Sequence, residues 1–207
     1  IKINRSVKNI QSLGFFSSVN SRVIKLKNGR KVIFQVRENP RINKIVFYGN
    51  TVISRSRLLN EISSKEGDVY GLGQLRKDIK TIESIYHKEG YFMAKVYGVK
   101  SPNNDSDALV FKISEGILEE IIVSGNSRTK DYVILREMDL ELGKPMKDMV
   151  LKKDLRKIYN LNYFSKLEPE FYPGEALHSQ KLVVKVEEKS TGTINFGGGY
   201  GQRSGFF

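Results

Sequence analysis

Between Leu75 and Tyr86, Leu75, Ile79, Ile82 and Tyr86 recur at a regular apolar spacing. That spacing of i, i+4, i+7 and i+11 draws one stripe along a helix, and Arg76, Lys77, Lys80, Glu83 and Lys88 occupy its other faces. Gly90 ends it. Upstream, residues 44–48 are a short apolar run of β-formers closed by Gly49-Asn50, a turn signal, and read as a strand. Leu58, Leu59 and Ile62 then sit at helical spacing before Gly67, with Ser54 or Ser56 available as the cap. Downstream, Tyr91 to Lys100 is an extended run, and Asn103-Asn-Asp-Ser-Asp107 turns it into a further strand at 108–114. The unit is β-α-α-β-β.

The unit repeats. Ile45-Val-Phe-Tyr-Gly49-Asn50 returns as Ile121-Ile-Val-Ser-Gly125-Asn126, and at the same offset Leu58 and Leu59 match Ile134 and Leu135, Gly67 matches Gly143, Leu75 matches Leu151, Asp78 matches Asp154 and Ile82 matches Ile158. Tyr91-Phe92 then aligns with Tyr163-Phe164 at an offset shorter by about one helical turn, so the second helix of the later copy is expected to be trimmed. Both copies close alike, Leu109-Val-Phe-Lys-Ile113-Ser-Glu115 and Leu182-Val-Val-Lys-Val186-Glu-Glu188, and Val32-Ile-Phe-Gln-Val36-Arg-Glu38 resembles both. Phe15-Phe16-Ser-Ser-Val19 likewise corresponds to Tyr163-Phe164-Ser-Lys-Leu167. The expected organisation is therefore the C-terminal part of an incomplete repeat at 1–39, complete repeats at 40–116 and 117–189, and a distinct segment at 190–207. Pro40 and Gly116 mark the boundaries.

Three strands backed on one face by two helices leave at least one sheet edge open, and an open edge can take up another strand. Main-chain pairing gives affinity whatever the guest's sequence, which suits a partner bound while unfolded. From Thr191 onward the period is two, with Ile194, Phe196 and Tyr200 alternating with Thr193, Asn195, Gly197 and Gly199. An outer-membrane barrel strand has this pattern; Gly197-Gly-Gly is equally the composition of a flexible linker.

The 207 residues, 39% hydrophobic and 28% charged, have the balance of a folded globular chain, and no apolar run approaches the roughly 20 residues of a spanning helix. With no basic stretch leading into an apolar one at its start, the chain reads as a mature or excised piece. The net charge of +12 is graded: residues 1–40 carry nine Lys or Arg against Glu38 alone, 41–116 twelve against nine acids, and 117–189 thirteen against thirteen. A basic end suits nucleic acid or anionic lipid, but Lys on exposed strands also blunts edge pairing. A repeated nucleic-acid surface would not lose its charge on the best-formed repeat.

Candidate chemistry is thin. Zero cysteines exclude disulfides and thiolate metal sites. His87 and His178 lie in different repeats without helical metal spacing and read as surface residues. Asn103-x-Asp105-x-Asp107 lacks the glycine and glutamate of a calcium loop. Gly71-Leu-Gly73 and Gly143-Lys144-Pro145 are incomplete phosphate motifs. Neither catalytic residues nor a metal or cofactor are expected.

The β-α-α-β-β order, the repeat signature Gly49, Asn50, Gly67, Gly125, Asn126 and Gly143, the Gly-Tyr-Phe or Asn-Tyr-Phe after the second helix and the closing strand ending in Glu resemble polypeptide-transport-associated (POTRA) domains. The run from Val186-Glu-Glu-Lys-Ser-Thr-Gly into the alternating tail resembles the junction with the β-barrel in the BamA family of outer-membrane protein assembly factors. The resemblance covers essentially 1–207, and chloroplast outer-envelope import channels and two-partner secretion transporters are similar relatives. It implies an α+β arm in the periplasm, attached to the outer membrane by its own C-terminal β-barrel, or in the plastid alternative to the outer envelope. Such an arm receives unfolded outer-membrane β-barrel proteins, in company with accessory lipoproteins or chaperones, and uses no nucleotide, cofactor, metal or nucleic acid. By the same resemblance the guest adds to Tyr91–Lys100 or its counterpart Phe164–Phe171, with Met93, Lys95, Tyr97 and Val99 facing alike. Val96→Pro is then expected to remove a ladder donor and weaken binding.

Overall fold

The computed structural model describes residues 2–102, 107–190 and, through their backbone, 200–201 and 205–206. The middle unit runs β3 (Lys44–Tyr48), α2 (Arg55–Glu61), α3 (Leu72–Lys88), β4 (Lys95–Lys100) and β5 (Ala108–Ser114). The next runs β6 (Ile117–Ser124), α4 (Asp131–Leu135), α5 (Asp148–Asn160), β7 (Phe164–Pro173) and β8 (Ser179–Glu188). Ahead of them lie α1 (Lys2–Ser12) and a hairpin, β1 (Phe16–Leu26) and β2 (Gly29–Glu38). The expected α+β fold of tandem β-α-α-β-β units is what forms. The alternating tail lies almost wholly outside the described residues, which contain there only the antiparallel pair β9 (Tyr200–Gly201) and β10 (Gly205–Phe206).

In both complete units the closing strand is central: the sheet orders are β3-β5-β4 and β6-β8-β7, with the opening strand parallel and the third antiparallel to the centre. Each central strand accordingly reads as a nearly continuous apolar run, Leu109-Val-Phe and Leu182-Val-Val, whereas the edges alternate. The helices cover one face. Ile45, Phe47, Leu58, Leu75, Ile82, Tyr86, Leu109 and Phe111 form the first core, and Leu118, Ile134, Leu151, Ile158, Phe164, Leu182 and Val184 the second. The predicted stripe of α3 is the face that packs, with Leu75, Ile82 and Tyr86 buried and Ile79 against the same core.

Ser54 caps α2, its hydroxyl accepting from the Arg57 N–H at 3.3 Å. Helix α4 begins after Lys130 without a side-chain cap; Asn126 instead donates from Nδ2 to the Thr129 carbonyl and the Asp131 carboxylate. Helix α5 has 13 residues against 17 in α3, the expected loss of one turn.

The N-terminal hairpin reproduces the β7–β8 hairpin in detail. Asn39 N–H donates to the Phe15 carbonyl as Lys189 does to Tyr163, both at 2.8 Å. Ser17 Oγ reaches the Arg37 carbonyl as Ser165 reaches Glu187, and the ladder bulges at Phe16/Ser18 as at Phe164/Lys166. Phe15 and the hairpin's Val23, Val32, Phe34 and Val36 are exposed among the described residues.

Candidate functional site

The signature residues close each unit on itself. Gly49 and Gly125 have φ of +83° and +87°, and a Cβ at either would collide with the carbonyl of Ile113 or Val186 on the central strand. The following Asn donates to the carbonyl three residues on, Asn50 to Ile53 at 3.0 Å and Asn126 to Thr129 at 2.7 Å. Gly67 and Gly143 N–H groups donate to Ile42 and Leu118, both at 2.7 Å, laying the interhelical loop along the start of the opening strand. The Glu that ends each closing strand gathers the loop before the first helix: Glu115 accepts from the Thr51 and Val52 N–H groups and from the Thr51 and Tyr86 hydroxyls, and Glu188 from the N–H groups of Ser127, Arg128 and Thr129. The Thr129 N–H, with help from the Ser127 hydroxyl, holds the Glu188 carboxyl down at about 2. Burial, with the Glu115 carboxylate beside it, pushes Tyr86 well above the ordinary phenol range. Buried Asp78 and Asp154 do the same work for the second loop, accepting from Ser63 and Ser64 and from Asp139 and Leu140. These residues are structural.

The edges are the open chemistry. In each parallel pair the opening-strand residues opposite Leu109 and Leu182, Ile45 and Ile121, turn their N–H and C=O away from the centre. At Ile45 both groups are taken: its N–H donates to Glu66 at 3.3 Å, its carbonyl accepts from Arg55 at 2.9 Å, and the two side chains lie 3.6 Å apart. On the other edge Val96 N–H also faces outward and donates to Glu83 at 3.0 Å. Val96→Pro therefore removes no ladder donor, contrary to the expectation from the sequence, but the bond to Glu83.

β4 and β7 do lie at sheet edges, as the resemblance implied, but the proposed edge residues do not face alike. A bulge between Val96 and Gly98 flips the alternation, so Val99 packs against the core beside Val96 while Lys95 and Tyr97 point out. Met93 lies before the strand and, with Phe92, packs against the core of the next unit. Phe92 meets Phe171 edge-on at 5.6 Å, and Tyr97 stacks on His178 at 3.7 Å. His178 is thus part of a joint between units rather than a surface residue. Asp148 N–H donates to the Gly90 carbonyl and the Lys147 ammonium sits 5.0 Å from the Tyr91 ring, completing that joint. Phe164 is fully buried in its own core.

The joint does not show in the sequence, where Phe92 reads as the counterpart of Phe164. Gly90 and Asn162, both with positive φ, are true counterparts, as are Tyr91 and Tyr163; but Ala94, buried at the head of β4, takes the place of Phe164. Phe92-Met93 is a two-residue insertion aimed at the neighbour. No group of His, Cys, Asp and Glu among the described residues could hold a metal.

The POTRA family model, described as surface antigen variable number repeat, matches residues 40–116 and 117–189, and the chain belongs to that family. Within it, the chain is a POTRA module of the Omp85 and BamA kind. It is 31% identical over 191 residues to the outer membrane protein assembly factor BamA of Neorickettsia risticii, covering 89% of this chain and 24% of that protein. It is 30% identical over 165 residues to a putative outer membrane protein assembly factor of Treponema pallidum, covering 77% and 20%. Among solved structures, the N-terminal domain of Omp85 from Thermosynechococcus elongatus superposes with a TM-score of 0.76 at 25% identity, covering 91% of this chain and 83% of that one. The chain spans under a quarter of the length of these curated relatives.

Proposed function

We propose that this chain is the substrate-receiving and scaffold module of an outer-membrane β-barrel assembly factor, not an enzyme. It stands in the periplasm, tethered through a barrel whose junction begins within residues 190–207, and residues 1–39 are the end of a further repeat. Unfolded outer-membrane β-barrel proteins are its partners, bound as extended segments added to a sheet edge and passed on for insertion. The observation that supports this reading is the architecture itself: two three-stranded sheets, each backed by helices on one face and each bounded by edge strands (β3 and β4, β6 and β7) that pair with no further strand among the described residues. Membership in the POTRA family and the likeness to assembly factors support it.

The test is binding of an unfolded outer-membrane barrel protein, diluted from urea onto the immobilised chain, at low and at high salt. Binding that changes little with salt and is not competed by the same barrel already folded is the expected result. A steep logarithmic fall with salt would point to phosphate-type electrostatics and a nucleic-acid partner instead.

A further inference from the structure

The two complete units differ in how their edges are defended. In the middle unit Arg55 and Glu66 occupy the outward carbonyl and N–H of Ile45, as a neighbouring strand would, and Glu83 occupies that of Val96. β4 is further broken by its bulge and by Tyr97 lying against His178. In the last unit β7 presents Leu167, Pro169, Phe171 and Pro173 opposite Val186, Val184, Leu182 and Gln180, the positions that face away from β8. Two of these four have no N–H, the placement of proline that blunts an edge.

β6 has no such defence along its second half. Its start is covered by the unit's own loop, through Leu118 N–H to the Lys144 carbonyl and Gly143 N–H to the Leu118 carbonyl. From Ile121 to Ser124 that cover ends. Asp131 and Leu142 stand at the repeat positions of Arg55 and Glu66; Asp131 is engaged by Asn126, and Leu142 is 58% exposed. Among the described residues no side chain bonds the outward groups of Ile121 or Val123, and Leu135 and Leu142 add exposed apolar surface in the place of the guard. Two N–H and two C=O groups at alternate residues of one strand are complemented by another extended backbone, and the flanking leucines favour apolar residues at every second position.

We infer that Ile121–Ser124 of β6 is the edge at which an extended polypeptide segment with alternating apolar residues adds to this chain, and that Arg55, Glu66 and Glu83 keep the middle unit closed to the same guest. This rests on the strand-addition reading above and moves its site away from β4 and β7.

The probe is a short synthetic peptide in which valine and threonine alternate between terminal lysines, added to the full 207-residue chain while amide hydrogen exchange is followed by NMR. The Ile121 and Val123 amides are expected to exchange about tenfold more slowly or better with peptide present, and the same peptide N-methylated on alternate residues is expected to give no protection. Asp131→Arg combined with Leu142→Glu, which installs the middle unit's guard, is expected to abolish the effect, and Arg55→Ala combined with Glu66→Ala to create new protection at Ile45. Protection confined to any other strand, or retained in the Asp131→Arg, Leu142→Glu protein, overturns the assignment to β6 while leaving strand addition standing. No protection of any amide overturns both.

Discussion

Gly125 and Gly143 are signature glycines of one unit, both in the left-handed region, with φ of +87° and +76°, yet their surroundings differ. A Cβ at Gly143 would meet nothing within 4 Å, whereas at Gly125 it would lie 3.2 Å from the Val186 carbonyl carbon and closer still to its oxygen. Alanine at Gly143 therefore costs the left-handed backbone alone, about 1–2 kcal/mol. Alanine at Gly125 adds a collision with backbone of the central strand, which can move only by disturbing the β6–β8 ladder. A displacement of that kind costs about 1–3 kcal/mol more, for roughly 2–5 kcal/mol in all. Urea unfolding read by tyrosine fluorescence measures both. With a slope of about 1–3 kcal/mol per molar, Gly125→Ala should lower the midpoint by the larger amount, clearly beyond Gly143→Ala. Equal losses, or a neutral Gly125→Ala, would refute the close approach to Val186 as the reason for glycine there.

Other consequences follow from the loop acceptors and the joint. The carboxyls of Glu119, Glu188 and Asp139 are all held down to about 2, by the Ser179 hydroxyl, the Thr129 N–H and the Lys153 ammonium respectively. Since a depressed carboxyl stabilises the fold only while ionised, their contribution is complete above about pH 4.5 and is lost as pH falls toward 2; acid titration of the folded fraction should show it, and Glu188→Gln should flatten the profile. Phe92→Ala removes the ring that meets Phe171, and should cost about 2–3 kcal/mol and separate one unfolding transition into two, visible by calorimetry. Glu115→Ala strands the Thr51 and Val52 N–H groups and the buried Tyr86 hydroxyl, and should cost about 3 kcal/mol or more in the middle unit, with Glu115→Gln recovering part of it.

What could be read from the chain was what the repeat doubled. Gly49 and Gly125, Asn50 and Asn126, Glu115 and Glu188 stood out because each recurs in register, and the stripe at Leu75, Ile82 and Tyr86 because a long helix has a strong period. Sheet order did not show itself, since the parallel pairing of β3 with β5 is made across some 60 residues and leaves no local mark beyond the apolar central strand. The joint was hidden by a coincidence of letters: Tyr91-Phe92 and Tyr163-Phe164 read alike, but only the tyrosines correspond. The bulge at Val96/Gly98 displaced Val99 from the face on which alternation placed it. The edge guards were illegible for a further reason, because they are differences between the copies. Arg55 against Asp131 and Glu66 against Leu142 look like surface variation until the outward groups of Ile45 are seen between Arg55 and Glu66.

Strand addition is tested most directly by hydrogen-bond scalar couplings between the chain's edge amides and the carbonyl carbons of a bound, isotope-labelled segment of an unfolded outer-membrane barrel protein. Measurable couplings from alternate residues of one edge strand to alternate carbonyls of the segment are the expected result. A segment that binds with no coupling to any edge strand, its contacts being side-chain contacts on a helix face or on the joint around Phe92, would contradict it.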